Sequence, residues 1–382
     1  MAEIYFDNGA TTRVFPEVKE IMSEVMEIEY GNPSSMHLKG FHAEQYVNKS
    51  KEIIAKSLKV DPKDIYFTSG GTEANNMALI GAALAGRRTR RHIITTRIEH
   101  ASIYNPLGFL EDEGFEVTYL PVDEKGIVLL DALKEALRPD TLMVSIMCVN
   151  NEIGSIMPIE EIGKIVKAYD PEILFHTDCI QAYGKLKLFP KKWKVDMLSV
   201  SGHKIHGPKG IGFIYIRNGV KIKPIIWGGN QQKGMRSGTE NVPGIAGLGK
   251  AAEIIYTNHK EKMDTIRGVK EHFIERVVNE VENVKNNSGE APHICSISFP
   301  GVRSEVLLHS LEDRGIYVSA GSACSSNKPE VSGTLRGIGL ERDYYESTLR
   351  FSFSLYNTVE EADQCVEALK ELVPVLRKYK RR

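Results

Sequence analysis

Between about Asp64 and Ile216, short runs rich in β-branched and aromatic residues alternate with longer stretches of helical periodicity, and this alternation constrains the fold more than any other feature. Strand candidates are Ile65–Ser69, His92–Thr96, Glu116–Leu120, Leu142–Val149, Ile173–Thr177, Met197–Ser201 and Gly212–Ile216. Helical patterns over Thr72–Ala85, Leu129–Leu137 and Ile159–Ala168 separate several of them. Strands joined through helices need crossover connections, which predicts an α/β fold with a mostly parallel sheet covered by helices on both faces. In such sheets ligands collect at the carboxyl ends of the strands, so the polar residues that close each run are the first candidates for chemistry. Beyond Asn241 the pattern changes to a long, charged, helical stretch to Val284, then an apolar run Ile294–Phe299, a helix near Glu305–Asp313 and a run Thr348–Phe353. The closing helix opens with Thr358-Val-Glu-Glu361, the spacing of a capping box. These elements predict a large domain over 15–255 and a smaller α/β domain built from 1–14 and 256–382.

Composition removes several classes of function. Lys plus Arg is 49 and Asp plus Glu is 50, a formal net charge of -1, which leaves no bulk positive charge for nucleic acid. Hydrophobic content of 42% and charged content of 26% are those of an ordinary globular chain. The 5 cysteines (Cys148, Cys179, Cys295, Cys324 and Cys365) stand singly, with no CxxC pair for a zinc knuckle and no even set for a disulfide framework. The first residues carry neither a basic segment nor an apolar core of a secretory signal, and the longest apolar stretch, near Met77–Gly86, falls short of the ~20 residues of a membrane span. A cytoplasmic protein is expected. Two basic runs, Arg87–Arg91 and Arg377–Arg382, follow predicted helices and read first as solvated helix caps, with docking of an acidic partner as the sharper alternative.

Two motif matches fail on inspection. Gly244-Ile-Ala-Gly-Leu-Gly249-Lys250 fits GxxxxGK, but Ala251 stands where a P-loop needs a hydroxyl and no strand precedes it, so a small-residue helix packing face is expected. His203-Lys-Ile-His206 lacks the carboxylate that would complete a hydrolytic metal site, and no metal is expected. More informative is Ile65-Tyr-Phe-Thr-Ser-Gly70-Gly71-Thr72, a β-rich run, two glycines and a Thr at the opening of an apolar helix. Glycines let backbone approach an anion and the amides of a helix start point at it; a plain strand-to-helix turn is the alternative. Further on, Ile173–Thr177 ends in Asp178 and Met197–Ser201 leads into Gly202-His203-Lys204. A lysine desolvated at a strand end is a candidate Schiff-base former, and a carboxylate such as Asp178 is what the ring nitrogen of pyridoxal phosphate requires.

Eight blocks, in this order along the chain, resemble the signature segments of cysteine desulfurases, within the class-V aminotransferase-like group of fold-type I pyridoxal phosphate enzymes. They are Asp7-Asn-Gly-Ala-Thr-Thr12, Gly31-Asn-Pro-Ser-Ser35, Ser69-Gly-Gly-Thr-Glu73, Glu99-His-Ala-Ser102, Val149-Asn-Asn-Glu-Ile-Gly154, Ser201-Gly-His-Lys204, Arg236-Ser-Gly-Thr239 and Gly321-Ser-Ala-Cys-Ser-Ser326. The resemblance implies that Lys204 forms the imine with pyridoxal 5'-phosphate and later moves the Cα proton. It implies that Asp178 pairs with the pyridinium, that Gln181 bonds the ring's phenolic oxygen, and that His100 stacks on the ring and serves as acid and base. Gly71, Thr72, Ser201 and His203 would hold the phosphate, with Thr239 reaching across from a second subunit of a homodimer. Asn151 and Arg350 would bind the substrate, L-cysteine, Arg350 by a forked pair of hydrogen bonds to its carboxylate.

Cys324 lies in a run of small, polar and turn-forming residues, Ser319 to Gly333, unlike the apolar surroundings of Cys148. By resemblance it is the nucleophile that takes the substrate's sulfur as a persulfide and hands it to an acceptor, such as an iron–sulfur scaffold protein. Its Ser-Ala-Cys-Ser-Ser surroundings resemble the long-loop subgroup. The chain departs from the family pattern at Gly9 and Ala320, at Cys179 beside Asp178, and after Arg350-Phe-Ser, where Phe353-Ser-Leu-Tyr-Asn357 replaces a Gly-Arg pair. Two other readings remain: a selenocysteine lyase or cysteine-sulfinate desulfinase of the same fold, and a non-catalytic sulfur-relay homologue.

Overall fold

The structure, a computed structural model, describes residues 3–86, 88–320 and 332–379. Its strands are β1 (Ile4–Tyr5), β2 (Ile65–Thr68), β3 (His92–Thr96), β4 (Glu116–Leu120), β5 (Thr141–Ser145), β6 (Leu174–Asp178), β7 (Met197–Ser201), β8 (Gly212–Ile216), β9 (Lys285–Asn286), β10 (Ile294–Ser298), β11 (Ile316–Tyr317), β12 (Ser319–Ala320) and β13 (Thr348–Ser352). The helices are α1 (Pro16–Glu27), α2 (Leu38–Leu58), α3 (Gly71–Gly86), α4 (Ala101–Asp112), α5 (Leu130–Ala136), α6 (Ile159–Tyr169), α7 (Val242–Tyr256), α8 (His259–Glu280), α9 (Ser304–Glu312), α10 (Gly333–Gly337), α11 (Arg342–Tyr345) and α12 (Val359–Arg377).

Seven strands form the main sheet in the order β2-β8-β7-β6-β5-β3-β4. From β4 to β7 every pairing is parallel, while β8 runs antiparallel to both β7 and β2. Every residue of β3, β5, β7 and β8 is buried, as strands covered on both faces must be. Alternation divides their side chains between two cores. Ile93, Met143, Met197 and Ile214 meet Ala74, Met77 and Ala78 of α3 and Ile103 and Leu107 of α4, whereas Ile94, Val144, Leu198 and Phe213 share the opposite core with α6, α2 and α7.

A second, antiparallel sheet has the order β12-β13-β10-β9, and β1 pairs with β11 in parallel beside it. Phe6, Phe273, Phe351 and Phe353 pack ring on ring where α8 meets this sheet. The capping box of α12 is present: the Glu361 amide donates to Thr358 Oγ1 at 3.2 Å and the Thr358 amide to Glu361 Oε2 at 3.1 Å.

The sequence pattern differs from the structure in a few places. Helices α1 and α2 were not among the predicted elements. The strand expected over 142–149 closes at Ser145, although the amides of Ile146 and Cys148 still reach the carbonyls of His176 and Asp178. The helical stretch expected over 241–284 is two helices, broken where Asn258 takes a left-handed conformation with φ 51. The GxxxxGK glycines are a packing face: a methyl on Gly247 would sit 2.9 Å from Met22 of α1, and one on Gly249 2.5 Å from Ser50 of α2. One arginine of each basic run is engaged with the fold rather than left to solvent. Arg90 makes a 2.6 Å ion pair with Asp170, and Arg377 donates to the carbonyls of Pro300, Glu282 and Asn283.

Candidate active site

Asp178 closes β6 on the sheet's carboxyl edge, and its carboxylate is already held. Oδ1 accepts from the Ile180 amide at 2.9 Å and Oδ2 from Asn75 Nδ2 at 2.8 Å. The second Asn75 proton goes to Ser102 Oγ at 2.9 Å, and Ser102 Oγ lies 2.9 Å from His100 Nδ1. His100 is the N-cap of α4, its Nδ1 also accepting the Ser102 amide at 3.1 Å. With Nδ1 an acceptor, a neutral His100 carries its proton on Nε2. Burial pushes the Asp178 carboxyl up from its ordinary value; the Ile180 and Asn75 donors and the charges of His100 and Lys204 oppose the shift. A cation at this carboxylate would relieve that cost, which is what a pyridinium provides.

Lys204 follows β7 in a single tight turn. Its Nζ donates to the carbonyl of Ala10 at 2.8 Å and to that of Gly9. Gln181 Nε2 donates to the same Gly9 carbonyl at 3.0 Å, while its Oε1 meets His293 Nε2 at 3.1 Å. The anion turn lies alongside. A methyl on Gly71 would come 2.1 Å from Ile180 Cδ1, so the start of α3 packs against the residue two after Asp178 only because Gly71 lacks a side chain, and Gly70 has φ +154. His203 points its Nδ1 at Thr11 Oγ1, 3.2 Å away; burial, then the nearby Lys204 and Lys209 charges, lower it to about 4, so it is neutral near pH 7.

Arg350 enters from β13 of the other sheet. It is 5% exposed, and its Nη1 donates to the Asn151 carbonyl at 2.8 Å and its Nη2 to Asp7 Oδ1 at 2.9 Å. Two of the five N–H donors of a guanidinium are thus engaged. Its Nε, like Asn75 Oδ1, is buried with no hydrogen-bond partner among the described residues. Gly9 joins the two halves. A methyl there would lie 3.2 Å from Arg350 Cζ and 3.0 Å from Ser352 Oγ, the atom that accepts the Gly9 amide at 2.6 Å, so a glycine here leaves room for the guanidinium.

Of the predicted residues, Asp178, Gln181, His100, Lys204, Ser201, His203, Gly71 and Thr72 lie along the carboxyl edge of the main sheet, and Asn151 and Arg350 join them through contacts. Thr239 is exposed, on the loop after Arg236, which itself pairs with Glu73 of α3 at 2.9 Å. Cys324 lies outside the described residues. Cys179 is fully buried, its thiol interacting with that of Cys148 and pushed well up by burial. The departure after Arg350 has a structural use: Asn357 Oδ1 accepts from Asn8 Nδ2 at 3.0 Å and from the Ser354 amide at 2.8 Å, holding the segment that carries Gly9. Sequence reading missed Asn75, whose signal is a polar residue on the apolar face of α3, and His293, which has none beyond being a histidine.

Pyridoxal phosphate fits this set of residues. An orphaned amide oxygen lies beside the aspartate, a primary amine is held at a strand end, and hydroxyls gather at a glycine-lined helix start.

Comparison with known proteins agrees. The aminotransferase class-V family model matches residues 4–365. The cysteine desulfurase IscS of Dictyoglomus turgidum is 42% identical over 98% of this chain and 95% of that protein. The chain belongs to the cysteine desulfurase family. Members of this family depend on pyridoxal phosphate, and the chain is an enzyme of that kind. Among solved structures, a NifS-like protein superposes with a TM-score of 0.93 at 38% identity, covering 98% of this chain and 100% of that one. A structure described as SspA in complex with cysteine gives a TM-score of 0.82 at 35% identity over 94% of this chain and 100% of that one. The desulfurase fold is that of fold-type I enzymes, as the mostly parallel sheet with flanking helices requires.

Proposed function

We propose that this chain removes sulfur from L-cysteine, releasing L-alanine and leaving a persulfide on Cys324 that is passed to an acceptor protein for iron–sulfur cluster or thio-cofactor assembly. One observation carries the reading. Gly9 is held from one side by Lys204 and Gln181 and touched from the other by Arg350, so the cofactor-binding amine and a carboxylate-binding guanidinium meet at one residue. Pyridoxal phosphate, bound at Lys204 and Asp178, supplies the electron sink that makes a carbanion at the substrate's Cα accessible.

The chain's own residues do the rest. Arg350 receives the substrate carboxylate on its remaining N–H donors while Asp7 and Asn151 fix the guanidinium plane. Lys204 takes the Cα proton, and His100, with Nδ1 occupied by Ser102, holds a proton on Nε2 for transfer at the reacting atoms. The Cys324 thiolate attacks the substrate sulfur. A sulfur–sulfur bond forms as the carbon–sulfur bond breaks, the electron pair stays on Cβ, and a proton completes alanine. Sulfur is oxidised, carbon is reduced, and no outside oxidant enters.

The working unit is a homodimer. Tyr30, Met36, Leu38, Phe41 and Trp227 are all exposed apolar side chains of the kind a second subunit covers, and Thr239, exposed on its own chain, is free to serve the partner's phosphate site. We read residues 15–255 as the cofactor domain and 1–14 with 256–382 as the smaller domain that carries Cys324; the second sheet and its link to β1 through β11 favour this division. The site of action is cytoplasmic, in keeping with single buried thiols and with the finding that no helix among the described residues is long and apolar enough to cross a membrane.

Spectroscopy tests the reading. Protein reconstituted with pyridoxal phosphate should be yellow, and Lys204→Ala should lose the imine band. Cys324→Ala should abolish turnover of cysteine and spare turnover of selenocysteine. Cysteine turnover that survives this change refutes the persulfide route, and protein that stays colourless with added cofactor favours the relay reading.

A further inference from the structure

Gln181 stands between the amine of Lys204 and a buried histidine. Its Nε2 donates to the Gly9 carbonyl at 3.0 Å, the same oxygen that takes Lys204 Nζ. A carbonyl only accepts, so the amide nitrogen must point at Gly9 and Oε1 must point the other way, to His293 Nε2 at 3.1 Å. Oε1 has no proton to give, so His293 Nε2 carries the hydrogen and donates it. The tautomer of His293 is thereby fixed with Nδ1 bare, and Nδ1 is buried with no hydrogen-bond partner among the described residues. Burial lowers His293 well below its ordinary value, and the charges of Lys185, Lys270, Lys204 and Arg350 act in the same direction. The ring is therefore neutral and has a single N–H to spend. Its backbone is held as well: the Phe353 amide donates to the His293 carbonyl at 2.9 Å, and the next residue, Ile294, opens β10 on its pairing with β13.

Gln181 Nε2 has two protons and spends one on Gly9; the second meets no acceptor among the described residues. In an imine of pyridoxal phosphate the ring's phenolic oxygen stands beside the imine nitrogen, so a donor next to Lys204 Nζ is a donor next to that oxygen. We propose that His293 is a positioning residue for the cofactor: by donating to Gln181 Oε1 it fixes which end of the amide is turned towards Lys204, and so keeps an N–H directed at the phenolic oxygen of the bound ring. His293 acts through Gln181, not on the cofactor itself. Without its donor, Oε1 would be a buried acceptor left unsatisfied, a cost large enough to turn the amide away from this arrangement. The phenolic oxygen would then lose its N–H. A hydrogen bond to that oxygen stabilises its anion, so losing it lets the oxygen and the imine nitrogen hold their shared proton to higher pH. The proposal rests on the placement of the cofactor at Lys204 in the desulfurase reading above.

The test is a pH titration of the imine band in protein reconstituted with pyridoxal phosphate, with no substrate present. His293→Leu fills the space and offers no donor; it should raise the midpoint by about half a pH unit or more, the effect of losing one hydrogen bond to a charged group. His293→Met, a more adaptable side chain that also lacks a donor, carries the same expectation should His293→Leu not fold. His293→Gln offers an N–H at a similar reach and should return the midpoint most of the way to the wild-type value. Gln181→Leu should raise the midpoint at least as far as His293→Leu does. Adding His293→Leu to Gln181→Leu should move it no further, because the histidine acts only through the amide. A midpoint that does not rise in the donor-less variants overturns the proposal and leaves the desulfurase reading intact. So does a His293→Gln midpoint as high as that of His293→Leu, or an undiminished shift from His293→Leu in the Gln181→Leu background, since either would make His293 act through packing rather than through the amide. Wild-type protein that forms no imine band overturns both.

Discussion

The two halves of the site are built on different principles. On the cofactor side, Asp178 takes its hydrogen bonds from Ile180, two residues on, and from Asn75 at the start of a helix packed on the same sheet, and that Asn continues to Ser102 and His100. Every member stands at the carboxyl end of a strand of one sheet or in the helix that follows such a strand. On the substrate side, Arg350 comes from the second sheet and takes its partners from Asp7 and Asn151, far away in sequence. A rigid parallel sheet can preorganise charge for a fixed ligand. A site assembled between two sheets can instead recognise a ligand that comes and goes. The cofactor side should therefore fail in chemistry, and the substrate side in affinity.

The largest effect expected from this contrast is at Asp178. Asp178→Ala removes the carboxylate that we propose pairs with the ring nitrogen, and kcat should fall by roughly 10³-fold or more, the scale on which losing preorganised electrostatics is felt. Asn75→Ala should cost only about 10-fold, because the Ile180 amide still holds the carboxylate. Steady-state kinetics at saturating cysteine decide this; equal losses at the two positions would mean that the hydrogen-bond chain, rather than the charge, is the active feature.

Arg350→Lys comes next. A lysine keeps the charge but cannot serve Asp7, Asn151 and a forked carboxylate together, so KM for L-cysteine should rise by about 10- to 100-fold with kcat changed by no more than a few-fold. A fall in kcat as large as the rise in KM would break the contrast, showing that the arginine also sets reaction geometry.

The same contrast explains what was legible in the sequence. Asp178 and Lys204 stood out as candidates because a parallel sheet brings ligands to one edge, and the alternation that reveals the sheet also locates that edge. The strand bounds shifted only by a residue or a few, since pairing and not composition ends a strand. Arg350 gave no such signal: nothing in Thr348–Ser352 distinguishes an inward arginine, and only the resemblance supplied it. The use of Phe353–Asn357 was invisible for the same reason, since Asn357 works by bonding Asn8 at the other end of the chain. In the sequence Gly9 is only a departure from the family pattern, whereas in three dimensions its carbonyl takes Lys204 and Gln181 while Arg350 and Ser352 of β13 crowd its Cα.

The smallest effect is also the one that separates the two sides by pH. Glu99 immediately precedes His100, and its buried carboxyl accepts from Thr96 Oγ1 at 2.7 Å and from the Met147 amide at 3.0 Å. Burial raises it to about 8 from 4.5; the Met147 and Thr96 donors oppose the shift and the nearby Asp178 adds to it. Between pH 4.5 and about 8 the folded chain keeps a proton that the unfolded chain has released, so folding takes up a proton across that window. The contribution of Glu99 to stability is therefore complete below 4.5 and is lost as pH rises through about 8. Glu99→Gln presents an acceptor oxygen to the same donors and cannot ionise. Relative to wild type, the variant should gain thermal stability from pH 5 to about pH 8 and level off above it, while kcat at pH 7 changes by no more than a few-fold. Thermal midpoints of the two holoenzymes across that range measure the difference directly and cancel every group they share. A difference that is flat with pH would mean that Glu99 is ionised in the fold, with a second negative charge beside Asp178, and that the cofactor side relies less on excluding charge than its hydrogen bonds indicate.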